Sequence, residues 1–437
     1  MQLMSSTYVV LALLFLPILG WYLTIFIARR LNPGTISFGI FVTVLMVALP
    51  EHLMSQRILR SVGFLGADEL AEVMEQGLLA AGVTVNIIML LFAALQCAVL
   101  VMLKPFKEWR VNGVTLLFIL LALLYFRPSG GGVISIFIYT TVVMVADFEK
   151  WMLKPLSLII MAVYVYGSIF GALFMPQYCV DIDGKWNGVV LNVNYLTVPC
   201  GAALILLFLC DKYKLRKPFW TLVHISAVVF LVAMCGSRSA LVCTAALLTI
   251  YAILKIKIPI LWVLTGVLAS VAVIMLWPDE SKQVDIAEMT SLRWYMWQFC
   301  MERVGEMPLL GWGARFFSWQ NRQDFFPTGL VSMGTAFSSF IEYAVCFGVV
   351  GLILFMTFLL NLHRYIIANR LGMLYYMVFI LLVLASLAET SFQPPQMNVA
   401  NTCYLVLFAM VMSASPGART GESADDPAAA SVPTKGE

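Results

Sequence analysis

Charge is scarce in this chain. Of its 437 residues, 12% are Asp, Glu, Lys or Arg and 61% are hydrophobic, with a mean hydropathy of +0.91. Soluble domains carry about twice that share of charge, so a soluble globule is excluded and a polytopic membrane protein is left. Histidine is rarer still, at three residues, and the nine cysteines show no CxxC and no Cys/His ligand spacing. No metal site and no cofactor is therefore expected. Most cysteines, such as Cys97, Cys210, Cys235, Cys243, Cys346 and Cys403, fall inside apolar runs and read as small core residues. Short alternating segments of the kind that build a membrane barrel are lacking, as are an internal repeat and a soluble catalytic domain. A net charge of +3 gives no reason to expect nucleic acid, because the basic residues sit in short loops between apolar runs.

What is present is one long apolar run after another. In hydrocarbon the backbone must satisfy its own hydrogen bonds, and runs of about 20 apolar residues do so as helices. The expected fold is all-α, a polytopic transmembrane bundle with a large helical periplasmic loop. Spans read near 8–28, 36–53, 83–103, 114–126, 132–147, 156–175, 195–210, 219–236, 239–254, 259–277, 336–360, 372–389 and 398–414, about 12 to 13 in all. The first run ends in Arg29-Arg30 without a small-residue cleavage site and reads as a retained span. Segments 114–126 and 132–147, parted by Arg127-Pro-Ser-Gly-Gly-Gly132, read either as two spans or as a broken, re-entrant pair.

Basic loops set the orientation. Arg29-Arg30, Lys104 to Arg110, Lys212 to Lys217, Lys255 to Lys257 and His363 to Arg370 belong on the cytoplasmic side by the positive-inside bias. Arg57 and Arg60 dissent, which leaves the N-terminal side open. The same count places 176–194, 278–335 and 390–397 on the outer face. Residues 1–414 then form a single membrane domain, and 415–437, small, polar and Pro/Ala-rich, form a disordered cytoplasmic tail. Cys179 and Cys300 both fall on the outer side, where a bridge is chemically open to them but no geometry argues for it.

Chemistry is expected on the outer face. Arg238, between two apolar runs, reads on position alone as a snorkelling residue marking a membrane boundary. Its Gly236-Ser-Arg-Ser-Ala240 context argues for an anion site, since small neighbours leave room and a helix start presents hydroxyls and N–H groups. Arg293, followed by Trp294, Met296 and Trp297, reads as part of an amphipathic helix on the outer surface, either as a solvated belt residue or as a second guanidinium converging with Arg238. Two such groups suit a phosphate or pyrophosphate. Asn192 and Asn194 read as helix caps or sugar contacts. Trp186, Trp312 and Trp319 read as interfacial anchors or sugar platforms, and Arg303, Arg315 and Arg322 as solvated charges or guides for an anionic headgroup.

Several stretches resemble the O-antigen ligase and O-antigen polymerase superfamily. They are Asp183-Gly-Lys-Trp-Asn-Gly188 through Asn194, Met234-Cys-Gly-Ser-Arg-Ser-Ala-Leu-Val242, Arg293-x-x-x-Trp297 leading into Met307-Pro-Leu-Leu-Gly-Trp-Gly313, and Ala336-Phe-Ser-Ser-Phe-Ile-Glu342 through Gly348-Val-Val-Gly351. The resemblance implies a metal-independent membrane glycosyltransferase in the bacterial inner membrane, acting at the periplasmic face on a glycan carried by undecaprenyl pyrophosphate. It implies that Arg238 and Arg293 hold the donor pyrophosphate, with Lys185 standing where an arginine is more usual.

Ligases of the superfamily carry His-Asn or His-Ser where this chain has Phe337-Ser338. His52, His224 and His363 do not replace it, so a general base falls to Glu342 or to Asp183, Asp285 or Glu288, unless a well-neutralised leaving group makes a strong base unnecessary. The expected function is a polymerase of lipid-linked repeat units of O-antigen, capsule or exopolysaccharide. The alternatives are a ligase that transfers glycan to lipid A core or protein, a lipid-linked glycan transporter, and a non-catalytic scaffold of an export complex. The expected partners are the lipid-linked oligosaccharide, membrane lipid and a chain-length regulator.

Overall fold

A computed structural model describes residues 32–47, 78–126, 130–180, 184–186, 188, 193–256, 293–318, 321, 324–327, 330 and 335–414. The described residues are helical, and the one strand-like feature among them is a single bridge between Val180 and Trp186. In chain order the main helices are α1 (Pro33–Val47), α2 (Leu78–Leu103), α3 (Gly113–Leu124), α4 (Gly130–Met144), α5 (Lys150–Phe174), α6 (Thr197–Lys212), α7 (Pro218–Cys235), α8 (Arg238–Ile256), α9 (Arg293–Glu306), α10 (Ser339–Ala368), α11 (Met373–Ala388) and α12 (Val399–Ser413).

Five of these elements are long and apolar enough to cross a membrane: α5, α6 with the turn before it, α7, α8 and α10. Six shorter apolar helices accompany them, in α1, α2, α3, α4, α11 and α12. Each of these eleven lies on a stretch that hydropathy marks as a span. The other two, 8–28 and 259–277, lie outside the described residues, as does the tail 415–437. The chain is an all-α, multi-pass membrane protein.

Local chemistry places the boundaries. Asn112 opens α3 by accepting hydrogen bonds from the Val114 and Thr115 amides at 3.0 Å, while the Thr115 hydroxyl accepts from the Asn112 amide. Pro218 starts α7, where its missing N–H costs nothing, and left-handed Gly236 (φ 61) closes it. Asn398 caps α12 through the Asn401 amide at 2.8 Å. The segment between α3 and α4 is a turn, because the Arg110 amide donates to the Met144 carbonyl at 2.8 Å. The far ends of the two helices are therefore joined and the pair runs antiparallel.

α6 and α12 are apolar all round and buried along nearly their whole length, which marks them as the centre of the bundle. Outer helices bury one face and expose another, with Leu95, Leu120, Phe170, Leu222, Leu241 and Ile353 turned outward. That surface suits acyl chains and would be a liability in water.

Two departures from regular helix lie inside the bundle. α10 breaks at Gly348 (φ 64, ψ −160), and the turn Pro308–Gly313 is seated in the break. The Val349 amide donates to the Pro308 carbonyl at 2.8 Å and the Val350 amide to Leu309 at 3.3 Å. In return the Trp312 amide donates to Val345 at 2.9 Å and the Gly313 amide to Cys346 at 2.6 Å. Backbone away from water must be paired, and here each segment pairs the other. A Cβ on Gly348 would fall onto the Leu309 backbone and one on Gly311 (φ 65) onto Cys346 and Phe347 backbone, so both glycines are required by close approach and by their left-handed conformation. The Pro-Leu-Leu-Gly-Trp-Gly turn is thus a structural wedge.

The second departure is the link from α11 to α12. Expected as an outer loop, residues 390–397 instead turn inward, and Ser391, Phe392, Gln393, Pro394 and Pro395 are buried. Phe392 stacks on Phe358 at 5.5 Å and also meets Phe118, Phe355, Tyr404 and Phe408. One aromatic anchor therefore pulls the segment into the core. Its backbone is paired by Asn401, which accepts from the Gln393 amide at 3.0 Å and donates to the Gln393 carbonyl at 3.1 Å. Cys179 and Cys300, the two candidates for a bridge, are buried free thiols.

Candidate functional site

The two ends of the bundle carry different chemistry. One gathers the basic loops: Lys104 and Arg110 meet Asp147 at 2.6 and 3.1 Å, and Lys255 meets Asp211 at 2.5 Å. His363 lies at this end, bonded to the Tyr376 hydroxyl at 2.8 Å, and His224 is bonded to Tyr166 at 2.6 Å. The other end gathers the start of α8, α9, the start of α10 and the end of α11, and it holds most of the residues expected to carry chemistry.

At that end Glu389 is the hub. Its Oε1 accepts from Arg293 Nη2 at 2.6 Å and from the Ser239 hydroxyl at 3.3 Å. Arg293 also donates to the Ala388 carbonyl, and its guanidinium lies 4.9 Å from the Phe337 ring centre. Ser239 is linked to the Ser237 hydroxyl at 3.0 Å and to Thr197 at 3.3 Å. Ser237 donates to Asn194 Oδ1 at 2.7 Å. One polar chain therefore runs from Asn194, before α6, through the serines that flank Arg238 on α8, to Glu389 and Arg293. The carboxylate is 9% exposed, a setting in which ion pairs and hydrogen bonds strengthen one another.

Arg238 itself is exposed at the first position of α8 and makes no ion pair among the described residues. Its neighbours on both sides are buried in the polar chain, so the backbone beneath it is fixed while the guanidinium is turned outward. Lys185 is also exposed, and its side-chain carbons lie beside Gly236, one turn of chain from Arg238. The Trp186 amide holds that strand of loop to the Met234 carbonyl at 3.3 Å. Lys185, Asn194, Arg238 and Arg293 are thereby collected on one end of the bundle.

Glu342 lies deeper, 3% exposed. It accepts from Gln393 Nε2 and from the Ala336 amide at 3.2 Å, and Trp297 of α9 donates to the Ala336 carbonyl at 2.9 Å. The carboxylate thus joins the inward link to the entry of α10, and its contacts are those of an organiser. Phe337 next door has φ 53, a conformation that a bulky residue holds only when its surroundings impose it. It stands where the related ligases carry histidine, and it covers Arg293.

Trp312 and Arg315 are not brought to the hub. The Trp312 indole donates to the Arg303 carbonyl at 2.9 Å within the wedge, and Arg303, paired with Glu306 at 2.7 Å, lies over its ring. Arg315 is exposed just beyond. Asp183, Asn192, Asp285, Glu288, Trp319, Arg322 and His52 lie outside the described residues.

Sequence reasoning missed Glu389, Ser237 and Ser239 as a set. The available signal was a carboxylate ending an apolar run at an expected outer boundary, in Leu387-Ala-Glu-Thr-Ser391.

Residues 222–356, from α7 through α10, match the family model described as O-Antigen ligase. The chain carries the ligase domain of the O-antigen ligase and polymerase superfamily over that segment, whose members are glycosyltransferase-like ligases and polymerases. No curated protein matches the chain. The matched segment contains Ser237, Arg238, Ser239, Arg293, the wedge and Glu342, while Glu389 lies beyond it.

Proposed function

We propose that the protein polymerises glycan repeat units carried on polyprenyl pyrophosphate, at the periplasmic face of the inner membrane. The observation that carries this reading is the meeting of Arg293 and the hydroxyls flanking Arg238 on a single carboxylate. It puts two arginine-bearing elements at one site, on the end of the bundle opposite the basic loops.

In the proposed reaction the outward guanidinium of Arg238 and that of Arg293 neutralise the donor's diphosphate, with Lys185 as a third cation at the rim. The acceptor hydroxyl oxygen bonds to the anomeric carbon as the bond from that carbon to the diphosphate breaks, and the diphosphate leaves with the electron pair. The acceptor's proton passes to a base, and Glu389 rather than the enclosed Glu342 is placed for this role. Positioned cations acting where charge develops supply most of the barrier lowering in such a transfer.

The test is an assay of the intact protein with a synthetic undecaprenyl-pyrophosphate oligosaccharide. Wild type should join units, and Arg238→Ala and Arg293→Ala should each lose joining by roughly 100-fold or more. Movement of the lipid between leaflets of a liposome without joining would instead establish a transporter. The second reading, a ligase, is favoured by the description of the matched family. Cells lacking a polymerase carry single-repeat caps on their lipopolysaccharide, whereas cells lacking a ligase accumulate long lipid-linked chains and leave the core bare.

A further inference from the structure

At the opposite end of the bundle, where α5, the α6–α7 loop and the start of α7 meet, lies an open cavity of about 640 Å³. Its polar wall is Lys154, Lys214, Arg216, Lys217 and His224. No carboxylate lines it. The nearest acid in sequence, Asp211, is bonded to Lys255 at 2.5 Å and to Tyr251 at 2.6 Å, and the ammonium groups of Lys154, Lys214 and Lys217 have no acid partner among the described residues.

Arg216 adds an independent sign. Its Nη2 donates to the Ser157 hydroxyl at 3.3 Å, but its Nη1 is shielded and has no hydrogen-bond partner. A shielded guanidinium N–H without an acceptor is costly and calls for an anion. The Tyr166 hydroxyl holds His224 in place at 2.6 Å, from a stretch of π-helix, Met161–Tyr166, within α5. Such irregular turns are frequent at binding sites.

The remaining wall decides the kind of anion. Leu158, Leu215 and Trp220 complete the lining, and the adjoining outer surface is apolar, with Trp151, Phe219 and Leu222 exposed. A cationic rim opening onto an apolar, aromatic-edged surface matches a molecule with a phosphate head and acyl tails. A basic pocket between helices at the end marked by the positive loops is the setting in which anionic lipids are held.

We propose that this cavity is a binding site for the phosphate headgroup of an anionic phospholipid in the leaflet at the basic end. Arg216 Nη1 takes a phosphate oxygen, Lys154, Lys214 and Lys217 surround the charge, and the acyl chains lie along Leu158 and Trp220. The site is separate from the arginine site and does not depend on the reaction assigned to it.

The experiment is native mass spectrometry of the full-length protein in detergent, titrated separately with phosphatidylglycerol, phosphatidylcholine and inorganic phosphate. Phosphatidylglycerol should be retained at least tenfold more than phosphatidylcholine and should raise the melting temperature. Inorganic phosphate at the same concentration should do neither. R216Q and K217Q should each weaken retention by roughly fivefold, about the effect of one surface cation, and the quadruple variant K154Q/K214Q/R216Q/K217Q should abolish the preference. K255Q, outside the cavity, controls for general loss of charge and should retain lipid like wild type. Equal retention of the two lipids, unchanged retention in R216Q and K217Q, or equal stabilisation by inorganic phosphate would each overturn the proposal.

Discussion

The two ends of this bundle treat charge in opposite ways. At the basic end lysines and arginines outnumber acids, and the few carboxylates each serve two partners, as Asp147 does for Lys104 and Arg110. At the other end one carboxylate, Glu389, is drawn inward and bonded to an arginine and a serine that come from helices distant in sequence. The first arrangement is a surface solution that fixes how the bundle sits in a membrane. The second is a partly dry polar network, whose members gain from one another and lose together when one is removed.

That contrast is broken most severely at the wedge. Gly348→Ala should destabilise the protein by about 3 kcal/mol or more, because it combines left-handed strain with a clash against backbone. Fluorescence-detected gel filtration during heating reads this directly. Arg293→Ala should come next, removing chain joining and also costing about 2–3 kcal/mol of stability by leaving Glu389 without its cation. In a double-mutant cycle with Glu389→Ala, measured by thermal melting, the two losses should fall well short of adding.

Arg238→Ala sharpens the comparison, since the exposed side chain should cost less than about 0.5 kcal/mol of stability while joining falls roughly 100-fold. A variant that melted early instead would make Arg238 structural. At the basic end Asp147→Ala should do the reverse, costing about 1–2 kcal/mol as Lys104 and Arg110 lose their acid, with joining per folded molecule unchanged. Lys185→Ala should have the smallest effect, within about 0.5 kcal/mol in stability and a weakening of substrate affinity visible in KM alone.

Much of the architecture was legible without coordinates. Apolar run length places the helices because hydrocarbon leaves the backbone no alternative, and the spacing of basic loops sorts their ends. The inward link was not legible, since Ser391-Phe-Gln-Pro-Pro395 reads as an exposed loop until Phe392 finds the aromatic cluster that Phe118, Phe358 and Phe408 build from three other helices. Nor was the break at Gly348, which sits in an uninterrupted apolar run.

Within the site, Arg238 and Arg293 were marked by charge at a helix end, which local sequence reveals. Their common contact, Glu389, is a matter of tertiary packing. Trp312 shows the converse, as its motif drew attention as chemistry while its ring and backbone serve the wedge.

The turn Pro308–Gly313 also continues directly from α9, through the Met307 amide on the Arg303 carbonyl and the Gly311 amide on Met307. Seated in α10 by four backbone hydrogen bonds, it works as a rivet between the surface helix that carries Arg293 and a helix that crosses the bundle. Arg293 is consequently indexed to the membrane-crossing frame, and α9 does not slide without unseating α10. Any motion that admits or releases a substrate therefore has to be borne by the other wall, where Lys185 and Arg238 stand on loop and helix start.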